Sequence, residues 1–366
     1  MRYLSNLINI CIFAKIKTIS LRTMNNITIP NRINWIDWAK VIAISLVVFG
    51  HIPMISGNFP QKYITNFHMP LFFLISGYLT KKECFNTNTI KKYWHTLIIP
   101  YIFYNIIFYP YWIVRHFADA PNIIPFDFIK PIIGTFFLQL RTPISDPLNE
   151  VTWFVAVLIV MKLVLSVVNL HKRSVAIMFL LSIICALFYI YNRQYRICEN
   201  LPIIGFFRCM PFFYIGHLCN QRNVIPLRPT SQDWYICFIG IGLSLFSYKY
   251  LIQYSPTLII HALIYASASI AIIGTISLCR LLDKIHSTII ENLSIGTIVI
   301  MGLHWMLIGT TNFVLQKLLH IDGGITYSLS ITIMLTILYE TFLYPVILII
   351  RDKYPFLLGK NLASRK

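Results

Sequence analysis

Runs of about 20 mostly apolar residues recur along this chain, each long enough to cross a bilayer as a helix. About ten are expected, near residues 36–55, 62–79, 94–114, 150–169, 174–191, 201–219, 233–250, 258–279, 293–316 and 327–350. In hydrocarbon every backbone N–H and C=O must be satisfied internally, which leaves helices or a closed barrel. Barrel strands alternate polar and apolar residues over about 10 positions, and these runs do not. A 57% hydrophobic, 12% charged chain with mean hydropathy +0.68 fits the helical alternative. The expected fold is an all-α polytopic membrane protein of about ten transmembrane helices, with both termini cytoplasmic. No polar stretch is large enough for a second domain. The expected division is a basic N-terminal segment over 1–32, one membrane domain over 33–350 and a basic tail over 351–366.

Charge sets the orientation. With the amino terminus inside, 20 of the 31 Lys and Arg lie on the cytoplasmic side, including Lys81, Lys82, Lys91, Lys92 and the tail from Arg351. Eight lie outside (Lys62, Arg115, Lys130, Arg141, Arg193, Arg196, Lys249 and Lys317), and Lys40, Lys162 and Arg208 fall within spans. This is the positive-inside bias. The formal charge of +18 therefore calls for no nucleic-acid partner, although basic loops also suit anionic lipid headgroups. Leu7–Ala14 is a short apolar run without a small-residue cleavage site, which argues against a signal peptide. Met24 is a sensible alternative start, since the organised pattern follows it.

The eight cysteines form no C-x-x-C pair and no zinc or haem pattern, so no metal and no tightly bound cofactor is expected. A Walker-type loop is absent, which disfavours an ATP-driven pump, and no internal repeat points to a transporter of duplicated halves.

Ionisable residues inside a bilayer are functional candidates by default. Lys40 and His51 are eleven helical steps apart, which returns them to nearly one face about 16 Å apart along the axis. Lys40 alone reads as a snorkelling residue or an Asp37 partner. His51 alone reads as an interfacial histidine or as a general base of near-neutral pKa. His68 opens the second span beside Pro70 and reads equally as an interface residue. Ser76-Gly77 suits a close helix contact, and Trp153 suits an aromatic belt. Lys162, Arg208 and Glu340 sit well inside spans, where an ion pair of Glu340 with Arg208 or Lys162 is the structural alternative to a pocket role. His304, mid-span, is either a buried hydrogen-bonded histidine or a pocket residue.

These residues carry a resemblance. Asp37 to Lys40, ten residues and then His51 resemble the first helix of the acyltransferase 3 family of membrane O-acyltransferases. That helix has a basic residue, usually Arg, separated by ten residues from a catalytic His. Phe67–Leu79 is similar to the family's second-helix motif. Leu97–Tyr101, Thr152–Phe154, Pro211–Gly216 and Asn292–Gly296 through His304 resemble later blocks in the same order, over roughly residues 33–350. The chain looks most like the sugar O-acetylases of fucose-type or Nod-factor-type glycans. It departs in Lys40, which keeps the charge but not the planar fork of Arg. It departs again over Thr297–Gly302, where the family shows an aromatic.

The resemblance implies a multi-pass O-acetyltransferase of the bacterial cytoplasmic (inner) membrane. It would take acetyl from cytoplasmic acetyl-CoA and place it on a hydroxyl of a cell-envelope or secreted glycan, or a lipid-linked sugar, at the outer face. His51 is then the base. Lys40, with Lys81, Lys82, Lys91 or Lys92, meets the CoA phosphates. Arg208, Ser76 or a backbone amide stabilises the oxyanion, and His68, Trp153, His304 and Glu340 are further pocket candidates. Direct transfer is favoured over an acetyl-enzyme, because no Ser-His or Cys-His pairing is evident. The outer loop over 117–149 contains Phe128–Leu140, too short to span, which reads as a re-entrant lid or as a surface segment. The competing expectations are a transporter or flippase of a glycan or lipid-linked intermediate, and a sensing protein built on the same scaffold.

Overall fold

The structure, a computed structural model, describes residues 32–55, 59–119, 125–225, 228–321 and 324–359. The expectation about Met24, most of the N-terminal segment and the tail from 360 lie outside the described residues. Each expected span is helical. The helices are α1 (Asn34–His51), α2 (Phe59–Tyr78), α3 (Thr87–Tyr93), α4 (Ile99–Asp119), α5 (Lys130–Phe136), α6 (Trp153–Val168) and α7 (Ser174–Tyr195). After them come α8 (Leu201–Gln221), α9 (Gln232–Leu251), α10 (Leu258–Leu281), α11 (Thr288–Ile295), α12 (Thr297–Leu318) and α13 (Leu329–Lys353). The described residues from Asn34 onward form one compact unit.

Two spans differ from the simple pattern. The third begins as α3 and passes through a π-helical turn at Trp94–Ile98 into α4. The ninth is broken at Gly296 into α11 and α12, where a Cβ would come within 2.5 Å of Ile347. Eight of the helical segments are long and apolar enough to cross a membrane on their own, and α1 and α2 are not among them. The reason is their position. Helix α1 packs on α2, α10, α11, α12 and α13, and α2 packs on α1, α8, α9 and α10. Helices enclosed by other helices need no lipid-facing apolar surface, so they can carry Asp37, Lys40, Ser45, His51, Asn66 and His68. The outer helices show the converse, with Phe238 69% exposed, Phe246 70% and Phe342 62%. Such rings solvate well in lipid and poorly in water.

Small residues set the tightest crossing. A Cβ on Gly77 of α2 would lie 1.9 Å from the Phe213 carbonyl oxygen, and one on Gly216 of α8 would lie 2.0 Å from that of Leu74. Glycine lets membrane helices approach to this distance. Pro70 complicates the same helix. It lacks the N–H that would satisfy the Asn66 carbonyl four residues earlier. Arg208 of α8 supplies the missing donor, bonding Asn66 O at 2.6 Å, and also reaches Thr65 O at 2.8 Å. Leaving such carbonyls unsatisfied would cost about 1–3 kcal/mol.

The two ends of the bundle are held by different groups. At the end away from His51, buried Arg280 bonds Asp233 at 2.7 Å, and Ser294 donates to Asp37 at 2.5 Å. At the His51 end, the chain between α4 and α6 folds inward as a short 3-10 turn, α5 and a reversal. There Leu138 and Gln139 both adopt positive φ, 57° and 64°. Left-handed backbone is costly for residues other than glycine, and side-chain bonds hold it here. The Gln139 amide donates to Asn105 Oδ1 at 2.9 Å and accepts from Leu148 N at 2.9 Å. Buried Asn149 donates to Gly302 O in α12 at 3.1 Å. The segment expected as a lid or a surface stretch is held on α4, where the Tyr101 hydroxyl donates to Thr135 O at 2.7 Å, while Ile129, Phe136 and Phe137 stay exposed.

Candidate active site

His51 is the last residue of α1, and Pro53 prevents the helix from continuing. Gln61 of α2 donates to the carbonyls of Gly50 at 2.9 Å and Ile52 at 3.1 Å, two groups a helix end leaves open. The following backbone pairs with Tyr327: Tyr327 N donates to Pro53 O at 2.9 Å, and Ile55 N to Tyr327 O at 3.2 Å. The position of His51 is therefore fixed from two directions.

Its partner comes from α12. His51 Nδ1 and His304 Nε2 are 3.0 Å apart, and His304 Nδ1 is 2.7 Å from the Ile300 carbonyl oxygen. A carbonyl only accepts, so His304 carries its proton on Nδ1. A neutral imidazole has one donor and one acceptor nitrogen, which makes His304 Nε2 the acceptor. His51 must then donate from Nδ1, and its Nε2 is left with a free lone pair. The tautomer of His51 is thus set through His304 by the Ile300 carbonyl, and the Val47 carbonyl of α1 also bonds the His51 ring. Trp305 presses edge-on against the His51 ring, centroids 5.1 Å apart at 89°.

His68 lies against α1 one residue from this pair: a Cβ on Gly50 would be 4.0 Å from His68 Cε1. Its Nδ1 is 2.9 Å from the Ile64 carbonyl, so His68 too holds its proton on Nδ1. Three histidines from α1, α2 and α12 therefore converge.

His51 opens onto a cavity of about 450 Å³. One wall is a stripe of α4 (Phe108, Tyr111, Trp112, Arg115), and the other is a stripe of α12 (Trp305, Ile308, Gly309, Asn312). The rim carries Arg141 paired with Glu150 at 2.9 Å and with Asp146 at 3.7 Å. All three side chains are exposed, so these pairs are worth about 1 kcal/mol or less and yield easily to a ligand. Helices α4 and α12 interlock by size. Gly302 faces the Tyr104 ring and Gly309 faces the Tyr111 hydroxyl, each pair seven residues from the other.

The remaining expected site residues lie elsewhere. Trp153, at the start of α6, packs on Gly205 and lines an adjoining cavity of about 160 Å³ that shares Arg141 and Glu150 with the first. Lys40 is half-buried near the far end of α1. Lys81, Lys82 and Lys91 are exposed at that end, and Lys92 is bonded to Glu83. Ser76 belongs to the α2–α8 crossing, where its carbonyl accepts from Thr80 Oγ1 at 2.7 Å. It is far down α2 from His68.

The ion pair expected of Glu340 does not form with Arg208 or Lys162, because the helices place the three apart. Arg208 is engaged on α2, Lys162 lies 5.7 Å over the Tyr93 ring, and Glu340 meets Ser45 of α1. Among the described residues no cluster of His, Cys, Asp or Glu could hold a metal ion.

Sequence reasoning missed the cavity walls. Positions 108, 111, 112 and 115, and again 305, 308, 309 and 312, follow the i, i+3, i+4, i+7 pattern of a single helix face. That periodicity was the available signal.

A family model described as an acyltransferase domain, that of the acyltransferase 3 family, matches residues 33–350. No curated protein and no solved structure matches the chain.

Proposed function

The chain belongs to the acyltransferase 3 family, and on that premise we propose that it is an O-acetyltransferase with His51 Nε2 as general base. The observation that carries this reading is the chain of bonds from the Ile300 carbonyl through His304 to His51. It keeps a lone pair on the one His51 nitrogen left to face a substrate. In the proposed reaction an acceptor hydroxyl in the cavity attacks the thioester carbon of acetyl-CoA. His51 Nε2 takes the hydroxyl proton, the C–S bond breaks, and the imidazolium returns the proton to the departing thiolate. A base in this role contributes about 10²–10⁴-fold in rate. Holding donor and acceptor together adds to that.

The cavity supports a sugar as acceptor. Trp112 and Trp305 offer apolar faces to ring carbons, and Arg141, Asp146 and Glu150 offer donors and acceptors to hydroxyls at the rim. The proposed glycan belongs to the cell envelope or is secreted or lipid-linked, of the fucose-type or Nod-factor-type class. The donor enters from the opposite end of the bundle, where Lys81, Lys82 and Lys91 meet the CoA phosphates and Lys40 lies along its path on α1. The proposed setting is the bacterial cytoplasmic membrane, with both termini and the lysines inside and His51 towards the outer face.

Membrane vesicles given labelled acetyl-CoA and a total glycan extract test this reading. Label should enter glycan with the native chain and fall to background with His51→Ala at matched abundance. Equal labelling by both would remove His51 as the base. When acceptor is withheld the chain itself should stay unlabelled, because transfer is direct.

A further inference from the structure

A separate polar cavity, of about 220 Å³, lies at the His51 end of the bundle among α2, α7, α8, α9 and α10. We propose that it is a binding site for a lipid-borne phosphate group. Its lining includes Lys62, Arg193 and Arg208 and contains no carboxylate. Arg208 sits over the Tyr189 ring, 5.7 Å from its centroid, and both of its bonds to α2 leave from Nη2. Its Nη1 and Nε donors stay available. Tyr248 and Tyr265, also in the lining, spend their hydroxyl protons on the Lys62 carbonyl at 3.0 Å and the Arg208 carbonyl at 2.8 Å, so neither competes with the cations as a donor.

His261 gives the independent sign of a missing ligand. It is 8% exposed, lines this cavity, and its Nδ1 is buried without a hydrogen-bond partner among the described residues. Buried polar nitrogens are rarely left so.

The placement decides what ligand fits. Lys62 is in the first turn of α2, Arg193 in the last turn of α7 and His261 in the first turn of α10, the level at which helices leave the bilayer. Two of the eight cations expected outside meet an intramembrane arginine here, against the general scarcity of positive charge on that side. Three cations with no carboxylate in the lining repel one another unless an anion joins them. A phosphate accepts from several donors at once, and a guanidinium suits it geometrically. At this depth the phosphate arrives on a lipid, either a bulk anionic phospholipid or an isoprenoid carrier. The site shares no lining residue with the His51 cavity, and the inference does not rest on the transferase reading.

Binding to the full chain in phosphatidylcholine nanodiscs tests it, with three probes: farnesyl diphosphate, phosphatidylglycerol and inorganic diphosphate. The variants are Lys62→Gln/Arg193→Gln, both exposed, and His261→Phe; Arg208 is spared because it also holds α2. The site is supported if farnesyl diphosphate or phosphatidylglycerol binds the native chain, at least tenfold more weakly in the double variant, several-fold more weakly in His261→Phe, and less at high salt. Preference for farnesyl diphosphate identifies a carrier lipid, and preference for phosphatidylglycerol identifies bulk lipid. Equal or tighter binding of inorganic diphosphate overturns the lipid assignment. No binding to the native chain, or equal binding by native and variants with unchanged melting temperatures, overturns the site.

Discussion

His304 touches no solvent and fixes a proton that His51 carries. A group whose effect is to orient a base should be replaceable by another acceptor of similar reach. His304→Gln offers Oε1 to His51 Nδ1 and should keep most of the transfer rate. His304→Leu fills similar volume without an acceptor and should lower kcat by about 10- to 100-fold, with KM for either substrate little changed. A merely structural histidine would show equal losses in both variants. The base must be neutral to act, so kcat/KM should hold at alkaline pH and fall with a slope of one proton as the medium is acidified. A rate that rises as the medium is acidified would contradict the assignment. The His51 position and its helical relation to Lys40 were legible from spacing alone. The bond to His304 was not, because the two are 253 residues apart and no local pattern encodes which distant side chain arrives.

At the scale of elements, α2 carries the clearest consequences. Arg208 and Pro70 should be coupled. Arg208→Met strands the Asn66 carbonyl that Pro70 leaves without a donor and should cost about 1–3 kcal/mol. In a Pro70→Ala background the helix recovers the N–H for Asn66, and the same substitution should cost measurably less. Thermal melts of the four chains close this double-mutant cycle, and strict additivity would dismiss the capping role. Gly77→Ala pushes a methyl into the backbone of α8 and should destabilise by about 1–3 kcal/mol. The carbonyl orphaned by Pro70 can be deduced from sequence, but not the cation that answers it. The stripes on α4 and α12 were visible as periodicity, yet aromatic stripes at helical spacing serve lipid-facing and cavity-facing surfaces alike. The break at Gly296 left no trace in hydropathy, since both flanks are apolar.

For the whole molecule, hydropathy disclosed the helical bundle, and each of the ten expected runs is helical, α1 and α2 included, although their polar residues keep those two out of the eight strongly apolar segments. Those two helices form the centre because enclosed helices can hold charge. This arrangement puts the lysines of 81–92 at one end and the His51 cavity at the other, which is the geometry that the proposed transfer across the membrane requires. The direct measurement is made in proteoliposomes containing the purified chain alone, with labelled acetyl-CoA confined to one face and a glycan acceptor to the other. Acetylated glycan should appear only when acetyl-CoA is on the lysine face, and His51→Ala should abolish it. Transfer that proceeds equally with His51→Ala, or only when donor and acceptor share the His51 face, would contradict the account.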